Sequence, residues 1–532
     1  MIKQLVIRNY KGIKQANIHF RKDSNVIVGN NGVGKSTIIE ALTLVLGYGL
    51  NQLEIVPSLF NIETIKQYEI NKVLPEIIIE VYFDGKNTEF SGKNNLLHEN
   101  SNGIQLKICF DEESFADLYE KEKDTIKQIP CEYYKIERNW FSDKKVIQRL
   151  IPYSILIVDS SSSYFNSSSN NYVSSLVRRY LGDEDNLKIK TGLRQLRDDF
   201  ERNEKLKDVN TSIGQQKADL KVSIDVTSNI ITRNIIRPLY KDIPVEQIGA
   251  GDLCILKTML SLEKNGDINK EKVVIIEEPE SHLSHTKMYE LLNKIKSTID
   301  DDTQLIITTH NNFIANKLNL ENLLLINNNN YQISCKTIEE NSKEAAFFTK
   351  VSNYPTLRLI LCKSAILVEG PTDEMIVTYY YHKKYSCHPF DDGIELISVE
   401  GVGFKAYANL AKEFEKKIAI LTDNDNKNRD DLIKLRGLED MPNCIQIFTD
   451  NDFVNNTTIE PCFINSNKNK IQQLSNAVRK KTVENDTTES LEKYMKNNKT
   501  QWAYRILSNI DNYDFETPQY IKDSIDWIRN EQ

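Results

Sequence analysis

The stretch IVGNNGVGKSTIIEALTLVLG, residues 27–47, joins a short apolar run to an apolar-periodic segment through a loop with three glycines and a lysine. Glycines allow backbone N–H groups to surround phosphate oxygens, which a side chain would block. A lysine adds charge for the β- and γ-phosphates, and a serine hydroxyl can bind Mg²⁺. The stretch therefore predicts a strand, an ATP-binding loop and a helix. The residues predicted to bind the nucleotide are Asn30, Asn31, Gly32, Gly34, Lys35, Ser36 and Thr37, and Ser36 is also a predicted metal ligand.

Two later stretches carry acidic and histidine side chains at the ends of apolar strands. VVIIEEPESHLSH, residues 273–285, places Glu277 and Glu278 at such an end. One carboxylate there can hold the shell of Mg²⁺, and the next can polarise an attacking water. QLIITTH, residues 304–310, ends on His310, which is positioned to contact a γ-phosphate. We therefore predict Glu277 as a metal ligand, and Glu278 and His310 as catalytic residues for nucleotide hydrolysis.

Length and composition limit the alternatives. A chain of 532 residues exceeds one ordinary core, so we expect about two to four domains. The formal charge is 68 − 76 = −8, so any nucleic-acid surface must be a local patch. No two of the eight cysteines have C-x-x-C spacing, which disfavours a zinc ribbon. Neither a signal-peptide pattern nor a spanning apolar segment is present, so we expect a cytoplasmic protein without a membrane partner.

Alternating apolar runs and helical patterns begin again near residue 364 and predict a second α/β unit with its own parallel sheet. SAILVEGPTDEM, residues 364–375, brings Glu369 to a strand end, and KIAILTDNDNKN, residues 417–428, does the same for Asp423 and Asp425. Carboxyl ends of parallel strands form a common crevice. Converging carboxylates repel one another unless cations lie between them, and Mg²⁺ or Mn²⁺ prefers such oxygen ligands. Two ions could stabilise the attacking and leaving oxygens of a phosphodiester.

The first group of motifs resembles the ABC-type ATPase heads of the SMC group. Besides the phosphate loop, the glutamate pair and the histidine, EQIGAGDLCILKTMLSL (residues 246–262) supplies a glycine motif before a helix, although it reads GAGD rather than LSGGQ. In that group the glycine motif completes the nucleotide site of a second subunit. The resemblance therefore implies a homodimer or a larger assembly, with Gly251 as a nucleotide-binding residue.

The second group, a strand-end glutamate followed by D-x-D, resembles a TOPRIM domain. Glu460 in NTTIEP and Lys499 in NNKTQWAY resemble a further metal-site acid and the C-terminal lysine of its nuclease branch. The metal ligands predicted here are Glu369, Asp373, Asp423, Asp425 and Glu460. The residues predicted to act on the phosphodiester are Glu369, Asp423, Asp425 and Lys499.

An ABC-type ATPase followed by a TOPRIM domain resembles the OLD (overcoming lysogenization defect) family of nucleases. This implies an α/β fold: an ABC-type ATPase head with a helical dimerisation insertion, then a TOPRIM domain with a parallel sheet. The expected boundaries are 1–160 and 241–345 for the ATPase, 161–240 for the insertion and 346–532 for the TOPRIM domain. The implied activity is ATP-controlled, Mg²⁺-dependent cleavage of DNA in anti-phage defence. Gabija and retron effectors in this family imply a helicase, or a reverse transcriptase with its nucleic acid, as partner.

Two other functions stay open. An ATP-driven DNA clamp or sensor would use the TOPRIM domain only to grip a partner. A TOPRIM primase or topoisomerase would need a zinc module or a nucleophilic tyrosine. The cysteine spacing argues against the former, and none of the 24 tyrosines is singled out for the latter.

Overall fold

The computed structural model describes residues 1–47, 50, 53–85, 89–123, 125–151, 153–159, 183–216, 239–262, 271–299, 302–338, 342–350, 354–399 and 403–530. The chain forms two compact units. The first comprises Met1–Thr309 and Leu324–Cys335, and the second comprises His310–Leu323 and Lys336–Gln532.

Most strands of the chain belong to one large mixed sheet, which has twelve strands within the described residues. Its order is β5-β6-β4-β1-β2-β14-β13-β3-β12-β11-β8, and β7 pairs with β6. A separate hairpin pairs β9 with β10. The strands are β1 Ile2–Tyr10, β2 Ile13–His19, β3 Ser24–Val28, β4 Ile77–Phe83, β5 Ser91–Gly92, β6 Ser101–Phe110, β7 Tyr134–Trp140, β8 Tyr153–Asp159, β9 Leu239–Tyr240, β10 Ile243–Pro244, β11 Glu271–Glu277, β12 Thr303–Thr308, β13 Leu323–Asn329 and β14 Gln332–Thr337.

The large sheet has a parallel half and an antiparallel half. Strands β8, β11, β12 and β3 pair in parallel, so their carboxyl ends lie at one edge. Strands β2, β1, β4, β6 and β7 pair in antiparallel fashion and extend the sheet on the other side. The phosphate loop follows β3 and the glutamate pair lies at the end of β11, so both stand at the same edge.

Helices of the first unit follow the sequence patterns. They are α1 Lys35–Val45, α2 Ile62–Asn71, α3 Glu112–Glu122, α4 Asp183–Arg202, α5 Glu204–Gln216, α6 Ala250–Leu262 and α7 His285–Thr298. Helix α1 buries Ile38, Leu42 and Val45 at helical spacing in the core of the sheet. Each such burial stabilises the fold by about 1.5–3 kcal/mol, so this packing fixes the helix that starts at the phosphate loop.

The helical insertion expected over 161–240 is described only in part. Helices α4 and α5 fall within it, whereas residues 161–182 and 217–238 lie outside the described residues. Leu196 and Phe200, four residues apart on α4, are both exposed. Side chains at this spacing share one face of a helix, so α4 presents an apolar strip to solvent.

The second unit contains a four-stranded parallel sheet, as the sequence predicted. Its order is β16-β15-β17-β18, with β15 Ser364–Val368, β16 Ile394–Ser398, β17 Lys417–Leu421 and β18 Ile445–Phe448. Residues of β15 and β17 are almost all buried, because helices cover both faces of a parallel sheet. The helices are α8 Asn312–Lys317, α9 Lys343–Lys350, α10 Thr356–Leu361, α11 Pro371–Tyr385, α12 Phe404–Glu413, α13 Arg429–Arg436, α14 Ile459–Ser466, α15 Ile471–Val478, α16 Thr488–Asn497, α17 Lys499–Ser508 and α18 Gln519–Arg529.

Candidate nucleotide site and candidate metal centre

The phosphate loop connects β3 to α1 through backbone that only glycine adopts easily. Gly34 caps α1 with a φ of 110°, in the left-handed region that side chains disfavour. At Gly29 a Cβ atom would lie 2.7 Å from the carbonyl oxygen of Ile326. Substitution at either position would therefore displace the loop.

Lys35 is buried at the start of α1 and holds the loop in shape. Its Nζ donates to the carbonyl oxygens of Gly29 at 2.9 Å and of Asn30 at 3.1 Å. Burial lowers the pKa of the Lys35 ammonium, and the negative charges of Glu278, Glu280 and Glu277 oppose this shift. These interactions are effective only at short range, so the loop and the glutamates after β11 form one site.

Glu280 belongs to this site, although the sequence did not single it out. Its Oε1 accepts a hydrogen bond from Thr309 Oγ1 at 2.7 Å, just beyond β12. Glu280 is the third acidic residue of the run EEPES, residues 277–281, and the first two already matched the glutamate pair expected at the end of this strand. Glu278 adopts a φ of 40°, and its N–H donates to the carbonyl oxygen of Thr308 at 3.1 Å. The end of β12 therefore holds the acidic turn in place.

The other predicted nucleotide residues occupy places consistent with their expected roles. Asn30, Asn31 and Ser36 are exposed, whereas Thr37 is half-buried in the first turn of α1. Gly251 lies in the first turn of α6, which begins at Ala250. His310 is half-buried two residues beyond β12. Their roles stay predictions.

The predicted metal ligands of the second unit stand at the switch point of its sheet. In the strand order β16-β15-β17-β18, the chain leaves β15 toward β16 on one side and leaves β17 toward β18 on the other. Because these two connections run in opposite directions, a crevice opens between the carboxyl ends of β15 and β17. Glu369 follows β15 directly, and Asp423 and Asp425 come just after β17. The fold thus directs all three to one crevice.

Burial and neighbouring carboxylates shift the pKa values of two aspartates in this crevice, and we call the five carboxylates involved the acidic cluster. The pKa of Asp423 is raised to about 8, first by burial and then by the negative charges of Asp373, Glu369, Glu460 and Asp425. The pKa of Asp373 is raised to about 7, first by burial and then chiefly by Glu369. Such mutual repulsion in a poorly hydrated place favours either protonation or a bound cation.

Neighbouring polar groups hold several of these carboxylates in place. Thr422 Oγ1 donates to Glu369 Oε1 at 2.6 Å. The backbone N–H of Gly370 donates to Asp373 Oδ2 at 3.2 Å, at the first turn of α11. Glu460 is only 3 % exposed, and its Oε2 accepts from Thr458 Oγ1 at 2.8 Å.

Asn424, between the two aspartates of the D-x-D motif, anchors a neighbouring loop. Its side-chain amide donates to the backbone carbonyl oxygens of Asp450, Asp452 and Asn456, at 3.1, 3.3 and 2.9 Å. Asp425, which follows it, adopts a φ of 47°, so the chain turns directly after Asn424. Asn424 is a residue that the sequence reasoning missed.

Arg436, at the end of α13, was missed as well. Its Nη2 donates to Glu369 Oε1 at 2.9 Å and to Asp425 Oδ2 at 3.3 Å. No sequence pattern indicated this role, because the arginine ends a helix that carries several other charged side chains. Lys499 is exposed at the start of α17. It is not among the groups that most shift the pKa values of Asp373 and Asp423. Its role in cleavage stays a prediction.

The donor set fits a divalent cation in its chemistry. Carboxylate oxygens are the ligands that Mg²⁺ and Mn²⁺ prefer, and a cation would offset the repulsion that raises the two aspartate pKa values. Within the described ranges, no three His, Cys, Asp or Glu side chains are arranged so that they could hold a metal ion as they stand. One oxygen of Glu369 and one of Asp425 instead accept from the Arg436 guanidinium, at 2.9 and 3.3 Å.

Among the described residues, no helix combines the length and the apolar character that crossing a bilayer requires.

Two protein-family models match the chain. The model described as "AAA domain, putative AbiEii toxin, Type IV TA system" matches residues 24–316, more than half of the chain. The model described as "Overcoming lysogenization defect protein-like, TOPRIM domain" matches residues 360–425, which include Glu369, Asp373, Asp423 and Asp425. A comparison with curated proteins finds no match.

Three solved structures of SMC heads are similar to the chain only at a low level. An SMC head bound to the C-terminal winged-helix domain of ScpA shares 15 % identity and a TM-score of 0.34, covering 64 % of this chain and 99 % of its own. The Thermotoga maritima head shares 15 % identity and a TM-score of 0.27, with the same coverage. A Pyrococcus furiosus head with an extended coiled coil shares 13 % identity and a TM-score of 0.33, covering 66 % of this chain and 99 % of its own.

Proposed function

The chain belongs to the AAA-type ATPase family and carries an OLD-like TOPRIM domain, as the ATPase–TOPRIM nucleases of the OLD family do, and from this premise we propose that it is an ATP-hydrolysing, Mg²⁺-dependent DNA endonuclease. In general terms the two domains imply the use of a nucleotide and a divalent metal. The observation that carries the finer proposal is the position of Glu369, Asp423 and Asp425 just beyond the carboxyl ends of the neighbouring strands β15 and β17.

In the proposed reaction, the cations would be held by five carboxylates, those of Glu369, Asp373, Asp423, Asp425 and Glu460. The cations, when bound, polarise a water and stabilise the leaving oxygen of a phosphodiester. Glu369 is proposed to act either as such a ligand or as the base that accepts the proton of the attacking water. Lys499 would offset the negative charge that develops on the phosphate.

The phosphate loop is proposed to control this reaction rather than to perform it. Lys35 binds the β- and γ-phosphates, while Ser36 and Glu277 complete a Mg²⁺ shell. Glu278 polarises the attacking water and His310 contacts the γ-phosphate. Gly251 is proposed to complete the nucleotide site of a second subunit, which makes the protein a homodimer or larger. Anti-phage defence is the proposed biological role, as in the OLD family.

Substitution of single carboxylates tests the proposal. Glu369→Ala and Asp423→Ala should each reduce plasmid cleavage in Mg²⁺ or Mn²⁺ by at least about a thousandfold, because each removes a ligand of the reacting centre. Both variants should bind ATP as wild type does. Asp430→Ala, which removes an exposed carboxylate from the first turn of α13, is the matched control and should cleave normally.

Three results would contradict the proposal in different ways. Normal cleavage by either variant would show that the reacting centre lies elsewhere. Absence of nicking by wild type with either metal, with or without nucleotide, would favour the ATP-driven clamp. A covalent protein–DNA adduct would instead indicate a topoisomerase.

A further inference from the structure

Arg436 makes an unusual set of contacts for a helix-terminal arginine. A single nitrogen, Nη2, donates to Glu369 Oε1 at 2.9 Å, Thr422 Oγ1 at 3.1 Å and Asp425 Oδ2 at 3.3 Å. The guanidinium carbon lies 5.6 Å from the ring centre of Phe404 on α12. The positive charge is therefore placed between carboxylates that come from two different strands.

The remaining donors of Arg436 are less well satisfied. Its Nε is buried and has no hydrogen-bond partner among the described residues. A buried donor without a partner costs free energy. The hydrogen bonds to carboxylates come from Nη2, at the end of the side chain. An arginine that forms a parallel pair with one carboxylate uses two of its nitrogens instead.

Solvent reaches this place. The side chain of Arg436 is 26 % exposed, and those of Glu369 and Asp425 are 35 % and 50 % exposed. The guanidinium can therefore leave without opening the hydrophobic core, and a small cation can approach the same oxygens from solvent.

The oxygens bound by Arg436 belong to carboxylates proposed to hold the divalent cation. An oxygen that accepts from a guanidinium has fewer lone pairs available for a metal, and two positive charges at one point repel. We propose that Arg436 is an internal cation that competes with the divalent metal for Glu369 and Asp425, so that metal binding requires the guanidinium to move away. This inference rests on the proposed function, because it takes these carboxylates as metal ligands.

Metal binding by the full-length protein tests this independently of cleavage. Mn²⁺ is titrated without nucleotide and followed by the electron paramagnetic resonance of the free ion, with Asp423→Asn giving the background. Arg436→Gln should bind Mn²⁺ about five- to tenfold more tightly than wild type, because the competing cation is gone. Arg436→Lys should tighten binding less, since an ammonium keeps the charge but lacks the planar fork.

The control is Lys434→Gln, which removes an exposed positive charge from the same helix. It should change Mn²⁺ affinity by less than about twofold, because solvent screens an exposed charge. Circular dichroism should show that every variant folds.

The outcomes separate the two proposals. Weaker or unchanged Mn²⁺ binding in Arg436→Gln would overturn the competition and make Arg436 a positioning residue or a purely structural one. Equal tightening in Arg436→Gln and Lys434→Gln would also overturn it, since only total charge would then matter. If wild type itself binds no more Mn²⁺ than Asp423→Asn, the metal centre fails, and this inference fails with it.

Discussion

Lys35 in the first unit and Arg436 in the second are both cations beside acidic side chains at the carboxyl ends of parallel strands. Lys35 is buried, bonds to its own loop and lies near Glu277, Glu278 and Glu280. Arg436 reaches only two members of a larger acidic cluster and is partly exposed. Desolvation dominates at Lys35, whose pKa falls, whereas burial and repulsion raise the pKa of Asp373 and Asp423.

The difference indicates how each site is completed. The nucleotide site carries its cation in the loop itself, so the loop is already in shape before a phosphate arrives. The carboxylate site carries more negative charge than one arginine offsets, which agrees with our proposal that it takes up cations from outside. We therefore expect the two sites to respond differently to substitution and to pH.

Among the three changes that test this comparison, removal of Lys35 should have the largest effect and should separate the two sites. Lys35→Ala should lower ATP hydrolysis at least about a hundredfold, because the phosphates lose their charge partner. Binding of Mn²⁺ by the Asp423 cluster should remain unchanged in a nucleotide-free titration. Lys22→Ala, at a largely exposed lysine, is the control and should affect neither. Loss of Mn²⁺ binding in a folded Lys35→Ala protein would show that the sites are not independent.

Asn424 tests whether the acidic site depends on its polar support. Asn424→Ala should reduce cleavage about ten- to a hundredfold and lower the free energy of unfolding by about 1–3 kcal/mol, since three backbone carbonyls lose a donor. Plasmid nicking and urea denaturation measure the two effects. Asn455→Ala removes only exposed bonds to Asp452 and should change stability by less than about 0.5 kcal/mol. Similar losses in both variants would contradict a special role for Asn424.

The smallest expected effect concerns pH in the absence of metal. The folded protein binds a proton at Asp373 and Asp423 more tightly than the unfolded chain, because both pKa values are raised from 3.8, to about 7 and about 8. Their contribution to stability is therefore fully present below about pH 4 and is lost as pH rises through 7 to 8. In EDTA, the melting temperature should fall by a few degrees between pH 6 and 9. Asp423→Asn should flatten this dependence, and saturating Mn²⁺ should reverse it. A pH-independent difference between wild type and Asp423→Asn would argue against the acidic cluster.

Local sequence could predict the residues that follow directly from a strand or a turn. Gly34, Lys35, Glu369 and Asp423 each sit where an apolar run ends, so the sheet geometry places them without further information. The parallel sheet of the second unit followed from the alternation of strands and helices. These features depend on neighbours within a few residues, which is why patterns reveal them.

Contacts between distant segments could not be predicted in this way. Arg436 reaches Glu369 across 67 positions, and Asn424 binds carbonyls 26 to 32 positions away. The parallel pairing of β14 with β2 likewise joins residues from opposite ends of the first unit. Nothing in the local pattern distinguishes an arginine that ends in solvent from one that ends among carboxylates, because only the fold decides which segments meet.

The path of the chain between the two units has a consequence for synthesis. The chain passes from the first unit to the second after Thr309, returns at Leu324 and leaves again after Cys335. The segment Leu324–Cys335, which includes most of β13, lies next to β3 in the large sheet. Residues up to 335 must therefore be synthesised before that sheet can be completed. By then the first segment of the second unit, His310–Leu323, has already been synthesised. Because the two units alternate along the chain, no single truncation point separates them. A truncation meant to isolate one unit would remove a segment of that unit or retain a segment of the other.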